Sequence, residues 1–301
     1  MSKLYILIAL PAAGKSTWAE KFCNRYDNTV HISSDAIREE VFGSAEDQTH
    51  NAEVFEIMRK RTRETLSAGG NVIYDATNLN RKRRMGFIRE MKKLADEIIG
   101  VVFAVPFEIC CERNQRRERT VPYSAMERMY KSFQPPSTAE RFDRIEIVRD
   151  NHTINLEAEL DVAIRISHDN PHHDLTIGEH MMEACNYIEW QKNFLASFAV
   201  RYHDIGKPFC KVFHNTKGVP TEIAHYYNHE NVGAYMALCG DLYNDVSEKD
   251  VLYIANLIAN HMVFYAGEGA MEKVKKLYGE AFWKDLCLLH EADEYGHTDH
   301  N

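Results

Sequence analysis

Short apolar runs alternate with longer amphipathic stretches through the first half of the chain, and the alternation stops near its middle. The runs LYILIAL (4–10), TVHIS (29–33), NVIYDAT (71–77), IIGVVFAV (98–105) and RIEIV (144–148) predict strands. They are near-continuous in Val and Ile rather than strictly alternating, which predicts a parallel sheet covered on both faces. Apolar residues at helical spacing predict helices over 15–26, 35–42, 48–68, 80–96, 107–118 and 123–132. Strands alternating with helices give an α/β doubly wound fold. Past about residue 158 the strand signals vanish, and 175–190, 193–206, 221–240, 248–266, 268–278 and 280–295 all carry helical periodicity. The second half is therefore expected to be all-α. RDNHTINLEAELD (149–161) contains no apolar run and marks the joint, giving domains 1–158 and 159–301.

Charge sharpens the division. Residues 1–150 hold 25 Lys and Arg against 22 Asp and Glu, a balance of +3; the remainder hold 11 and 23, a balance of −12. Of 15 histidines, 13 fall in the second half. A balanced, Arg-rich half suggests anionic substrates, and an acidic, His-rich half suggests bound cations. No apolar run approaches the roughly 18–20 residues needed to span a bilayer, so no membrane association is expected. The start MSKLYILIALPAAGKST superficially resembles a signal peptide, but GKST follows the apolar run directly and the run reads as a buried strand. Seven cysteines without a C-x-x-C pair suit reduced thiols in a cytoplasmic setting.

ALPAAGKST (9–17) follows the first strand and opens the first helix, the context a phosphate loop requires. Ala9, Ala12, Ala13, Gly14, Lys15, Ser16 and Thr17 are the expected nucleotide contacts, with backbone N–H groups surrounding a phosphate at a helix N-terminus. Lys15 would bridge the β- and γ-phosphates of ATP or another NTP, and Ser16 would help hold Mg²⁺. Ala9 stands where the full phosphate-loop pattern has glycine.

Downstream, ISSDAIREE places Asp35 past the second strand, where a carboxylate can accept the proton of an attacking hydroxyl. Arg38 lies one turn along and could hold an acceptor phosphate. VIYDATNLNRKRR ends a strand at Asp75, which could also cap the next helix, and ERNQRRERTVP offers Arg113, Arg116, Arg117 and Arg119 to a mobile lid. GKSTW, SDAIR, DATNLNRKRR and RNQRRERTVP, in this order, resemble the kinase domain of bacteriophage polynucleotide kinase across nearly all of residues 1–150. That resemblance implies a P-loop kinase with Asp35 as general base, Arg38 on the acceptor phosphate and Arg117 as the lid arginine.

In the second half, IGEHM, YHDIGKP, AHYYNHENVG, ANHMV and HEADEYGH supply His180, His203, Asp204, His225, His229, His261 and Asp293. Imidazoles and carboxylates on facing helices are how helical folds build a metal cavity. Such N/O ligation suits Mn²⁺, Fe²⁺, Co²⁺, Ni²⁺ or Zn²⁺, which lower the pKa of a bound water and polarise a phosphate ester. The order H…HD…D resembles the HD phosphohydrolase superfamily, especially the HD domain of bacterial CCA-adding enzymes. It implies His180, His203, Asp204 and Asp293 as ligands and Lys207 as the group neutralising a substrate phosphate. His229 and His261 are candidates for a second metal or for phosphate contacts, and His225 and His229, four apart, are expected on one helix face. His172-His173 are expected in a turn, and His297 and His300 solvated at the terminus.

Together these readings describe a bifunctional end-healing enzyme. One half would phosphorylate 5′-OH ends of RNA or DNA; the other would remove 2′,3′-cyclic, 2′- or 3′-phosphate, leaving the joining to a separate ligase. Two alternatives stand beside it: a small-molecule or nucleoside kinase fused to a nucleotide phosphohydrolase, and a kinase regulated by a non-catalytic nucleotide-sensing module. The sequence leaves the donor, the metal and the oligomeric state open.

Overall fold

A five-stranded parallel sheet, in the order β2-β3-β1-β4-β5, forms the centre of the first of two units. The computed structural model describes residues 1–171, 174–244 and 246–297; His172-His173 and His300 lie outside the described residues. The first unit comprises Met1–Met126 and Pro136–Asp150, the second Glu127–Pro135 and the chain from Asn151 onward.

In chain order the first unit contains β1 (Lys3–Ile8), α1 (Lys15–Arg25), β2 (Thr29–Ser33), α2 (Ser34–Phe42), α3 (Asn51–Ser67), β3 (Asn71–Asp75), α4 (Arg81–Met91), β4 (Glu97–Ala104), α5 (Phe107–Gln115), the start of α6 (Tyr123–Lys131) and β5 (Arg144–Arg149). Leu4, Ile6, Leu7 and Ile8 of β1 and Ile98, Ile99, Val101 and Val102 of β4 are completely buried. Central strands buried on both faces read as unbroken apolar runs, which is why they were legible. Asp75 pairs in register with Ser33, and Ile6 with Tyr74, so β1, β2 and β3 end at one edge of the sheet. At that edge of an open α/β sheet ligands bind.

Several of the predicted helices are shorter than their periodicity suggests. The 107–118 segment stops at Gln115 and 80–96 at Met91. A 3-10 turn at Thr138–Glu140, closed by a Ser137–Glu140 capping box, escaped the pattern because it is only three residues long.

The second unit contains α7 (Leu156–Ala163), α8 (Ile177–Tyr187), α9 (Phe194–Tyr202), α10 (Lys207–Cys210), β6 (Val212–His214), β7 (Pro220–His225), α11 (His229–Cys239), α12 (Glu248–Asn260), α13 (Glu268–Tyr278) and α14 (Glu280–Tyr295). Helix α7 begins inside the stretch expected to be the joint and runs past its end. The last turns of α6 belong here too: the Tyr130 ring lies 5.2 Å and the Phe133 ring 4.8 Å from Tyr235.

The expectation of an all-α second half is corrected by the antiparallel hairpin β6-β7. Turn chemistry overrides the helical reading of 221–240. Asn215 accepts from Lys217 N (2.9 Å) and Val219 N (3.1 Å) through its side chain, and Gly218 takes a positive φ of 77°. His225 consequently sits on β7 while His229 opens α11, so the two do not share a helix face. Among the described residues no helix is long and apolar enough to cross a membrane.

Candidate active sites

The loop between β1 and α1 is shaped as an anion cradle. Gly14 adopts φ 95° at the N-cap and Ala12 φ 61°, turning the chain into α1. No side chain caps that helix and no acidic residue occupies its first turn, so its N-terminal N–H groups face no competing carboxylate. Ala9 is buried and keeps φ outside the left-handed region, donating its N–H to Thr77 O at 3.1 Å. The backbone there asks for no glycine, which explains how alanine is accommodated. Ala13 is buried behind the loop, while Gly14, Ser16 and Thr17 are exposed.

Lys15 folds back to donate to Leu10 O at 3.1 Å. Part of its side chain meets solvent, yet burial of the ammonium lowers its pKa; Asp75 and Asp35 oppose the shift and Arg117 adds to it. Their influence puts Asp75, Asp35 and Arg117 in the electrostatic neighbourhood of Lys15. Asp35 and Asp75 bring carboxylate oxygens to this neighbourhood that could serve Mg²⁺.

Asp35, in the first turn of α2, is half exposed and held by Arg38 (3.0 Å) and Arg119 (3.2 Å). Arg38 is buried. Its Nη2 donates to Asn51 Oδ1 at 2.6 Å, while its buried Nε finds no hydrogen-bond partner. Arg119, one of four arginines in the lid segment, is thus the one against Asp35, and Arg117 stands exposed beyond α5. Asp75 accepts from or donates to no helix cap: Asn80 caps α4, and Asp75 meets His31 Nε2 of β2 at 2.9 Å. His31 was missed because an in-strand histidine carries no motif. Arg84 of the basic run is structural, paired through two bonds (2.8 and 2.7 Å) to the buried Glu140 and bonded to Asn78 O and Leu79 O.

In the second unit the predicted ligands converge. His180 Nε2 lies 3.1 Å from His203 Nε2, 3.0 Å from Asp293 Oδ1 and 3.4 Å from Asp204 Oδ2. His203 Nε2 is 3.2 Å from Asp293 Oδ1 and 3.4 Å from Asp204 Oδ2. The other oxygen of Asp204 faces a second group, 3.1 Å from His229 Nε2 and 3.6 Å from His261 Nε2, which are themselves 3.2 Å apart. All six side chains are buried.

Close helix approach makes this possible. A Cβ on Gly206 would stand 2.3 Å from His229 O, and one on Gly296 2.8 Å from His180 O. Only glycine at these two positions lets the elements close on the cluster.

The donor set fits divalent metal. Each ring is oriented through Nδ1, which bonds Gly296 O (2.7 Å) from His180, Val200 O (2.8 Å) from His203, Tyr226 O (2.7 Å) from His229 and Ile258 O (2.7 Å) from His261. A carbonyl accepts only, so Nδ1 carries the proton and each Nε2 presents its lone pair inward. Ligands about 2.1 Å from a metal stand about 3.0 Å apart at right angles and about 3.4 Å apart at the tetrahedral angle. In the first group the distances that involve a histidine run from 3.0 to 3.4 Å. Converging lone pairs and carboxylates at these distances need a cation. Burial pulls the His203 pKa down, but Asp204 and Asp293 outweigh it and raise it to about 10, so without metal a proton serves in that role. Burial pushes Asp204 up, yet Lys207 and His203 hold it well below the usual carboxylate range.

Lys207 Nζ lies 2.5 Å from Asp204 Oδ2 and 3.4 Å from His168 Nε2. His168, unmarked in the sequence, is buried and bonds Leu175 O through Nδ1 at 2.9 Å; burial and then the Lys207 charge lower its pKa to about 4, leaving it neutral. His297, expected to be solvated, is partly buried with Nε2 3.8 Å from Asp293 Oδ1. His225 stacks on Tyr227 at 5.4 Å and its Nε2 does not join the cluster.

Residues 4–136 match a family described as an AAA domain, consistent with a kinase-like P-loop domain. A curated relative, the L-seryl-tRNA(Sec) kinase of Methanococcus maripaludis, is 25% identical over 152 residues, 49% of this chain and 58% of the relative; the chain thus spans little more than half of its length. Among solved structures, a chain of the Pnkp1/Rnl/Hen1 RNA repair complex is 29% identical, covering 47% of this chain and 46% of that one, with a TM-score of 0.42. A gluconokinase from Sinorhizobium meliloti 1021 is 16% identical, covering 50% and 83%, with a TM-score of 0.38.

Proposed function

We propose that the chain heals nucleic-acid ends through two independent reactions. In the first unit, an NTP bound by the Ala9–Thr17 loop gives its terminal phosphoryl group to a 5′-OH polynucleotide end. Lys15 neutralises charge on the transferring group, and Ser16 contributes to the Mg²⁺ site. Asp35 takes the hydroxyl proton, Arg38 holds the acceptor's neighbouring phosphate through the N–H left unpaired in its buried guanidinium, and Arg117 closes from the lid. A relative named for phosphorylating a seryl-tRNA supports an acceptor hydroxyl carried on RNA.

In the second unit, an HD-type phosphohydrolase removes 2′,3′-cyclic, 2′- or 3′-phosphate. His180, His203, Asp204 and Asp293 would hold one divalent metal, and Asp204, His229 and His261 a second. Such metals supply a water of lowered pKa and polarise the phosphorus ester. Lys207, steadied between Asp204 and neutral His168, meets the negative charge of the phosphate. The observation that carries this half is the pair of buried ligand groups sharing Asp204. A cytoplasmic setting, with a ligase downstream, completes the reading.

The test is incubation with γ-labelled ATP and a panel of 5′-OH RNA, 5′-OH DNA and nucleosides, with Mn²⁺-dependent phosphate release from 3′-phosphorylated RNA followed in parallel. Lys15→Ala is expected to abolish labelling and spare release. Labelling of nucleosides in preference to oligonucleotides would overturn the polynucleotide assignment.

A further inference from the structure

The short turn that begins with the ligand His261 carries an aromatic side chain that ligation does not require. Tyr265 belongs to the 3-10 turn His261–Ala266, whose first residue is the ligand His261. It is 55% exposed, among the most exposed large apolar side chains in the described structure. Its position is nonetheless fixed at two points. The hydroxyl donates to Glu294 Oε1, next to the ligand Asp293, and the ring meets His290 of α14 edge-on, with centroids 5.7 Å apart at 87°. Burial of the hydroxyl and the bond to Glu294 raise its pKa, and both Asp293 and Asp204 contribute, so the ring's polar end lies within electrostatic reach of both ligand groups.

A ring that is 55% exposed, tethered through its hydroxyl and crossed at a near right angle by His290, has the attributes of a stacking platform. Its orientation is set before any ligand arrives, so little side-chain entropy is lost on binding. Among phosphate esters, a nucleotide offers such a ring the flat π-face of its base. An acidic half with a balance of −12 disfavours a long polyanion. Stacking supplies substrate affinity without relying on charge.

We propose that Tyr265 stacks on the base of the terminal nucleotide whose phosphate enters the His180–Asp293 centre, and so selects nucleotides over base-free phosphate esters. This rests on the phosphohydrolase reading above and adds the substrate determinant to it.

The experiment compares two substrates of the Mn²⁺-loaded full chain, a nucleoside 3′-monophosphate and glycerol 2-phosphate, in wild type, Tyr265→Leu and Tyr265→Phe. Tyr265→Leu is expected to reduce the ratio of kcat/KM for the nucleotide over the glycerol ester by about 5- to 150-fold, chiefly through KM. Tyr265→Phe, which keeps the ring and loses only the Glu294 bond, is expected to restore most of that ratio. Equal losses on both substrates, or a ratio unmoved by Leu, would overturn the inference while leaving the hydrolase intact. Equilibrium titration with the nucleotide separates the remaining case. If wild type hydrolyses neither ester yet binds the nucleotide, and Tyr265→Leu weakens that binding by the same factor, the hydrolase reading fails and the stacking site stands. If it neither hydrolyses nor binds, both fall.

Discussion

Asp204→Asn separates ligation from packing, because it keeps the volume and removes the charge. The two carboxylate oxygens of Asp204 serve different groups, Oδ2 facing His180 and His203 and Oδ1 facing His229 and His261. Losing this one charge should therefore empty both positions, whereas Asp293→Asn should weaken only one. Removing a ligand is expected to cost at least the ~10- to 100-fold in affinity that losing a mere supporting contact costs. In chelated protein the consequence is electrostatic. Lys207, buried and 2.5 Å from Asp204 Oδ2, would lose its carboxylate partner. Stranding one member of a buried ion pair costs about 3–5 kcal/mol, or a fall in Tm of roughly 6–20 °C for a unit of this size. Asp204→Asn/Lys207→Met removes the orphaned cation and should recover most of that loss without recovering metal. Elemental analysis of the purified proteins, with calorimetry after EDTA treatment, reads both effects. Full metal content in folded Asp204→Asn would refute the shared-ligand argument, and a double variant no more stable than the single would refute the electrostatic one.

Three further outcomes follow from the first unit. Arg38→Ala should raise KM for a 5′-OH oligonucleotide or lower turnover by about 10- to 150-fold, the worth of one charge-assisted contact, and steady-state kinetics with an acceptor lacking the neighbouring phosphate should show no such loss. Glu140→Ala strands the buried Arg84 guanidinium, so denaturant unfolding should reveal a loss of about 3–5 kcal/mol; a loss below about 1 kcal/mol, the ordinary worth of an exposed pair, would show that the pair is not structural. Asp35→Asn should abolish phosphoryl transfer while ATP binding, followed by equilibrium titration, persists.

Much of this was written locally. Buried parallel strands announce themselves as continuous apolar runs, and a phosphate loop is one contiguous stretch between a strand and a helix, so β1, β4 and Gly14-Lys15-Ser16 needed no tertiary information. The histidines and aspartates of the second half could be picked out as residue types in order, but their sharing could not. That Asp204 stands between two groups depends on α8, α9, α11, α12 and α14 closing at Gly206 and Gly296, a matter of helix approach rather than spacing. The hairpin at 212–225 was hidden because six residues of β7 are too few to outweigh helical periodicity, and an Asn215–Gly218 turn decides them. His31, His168 and Tyr265 carried no signal at all. Each acquires its place only from a partner far along the chain, Asp75, Lys207 and Glu294 respectively. A pattern read along one chain records what each segment prefers, and only the packed structure decides which side chains meet.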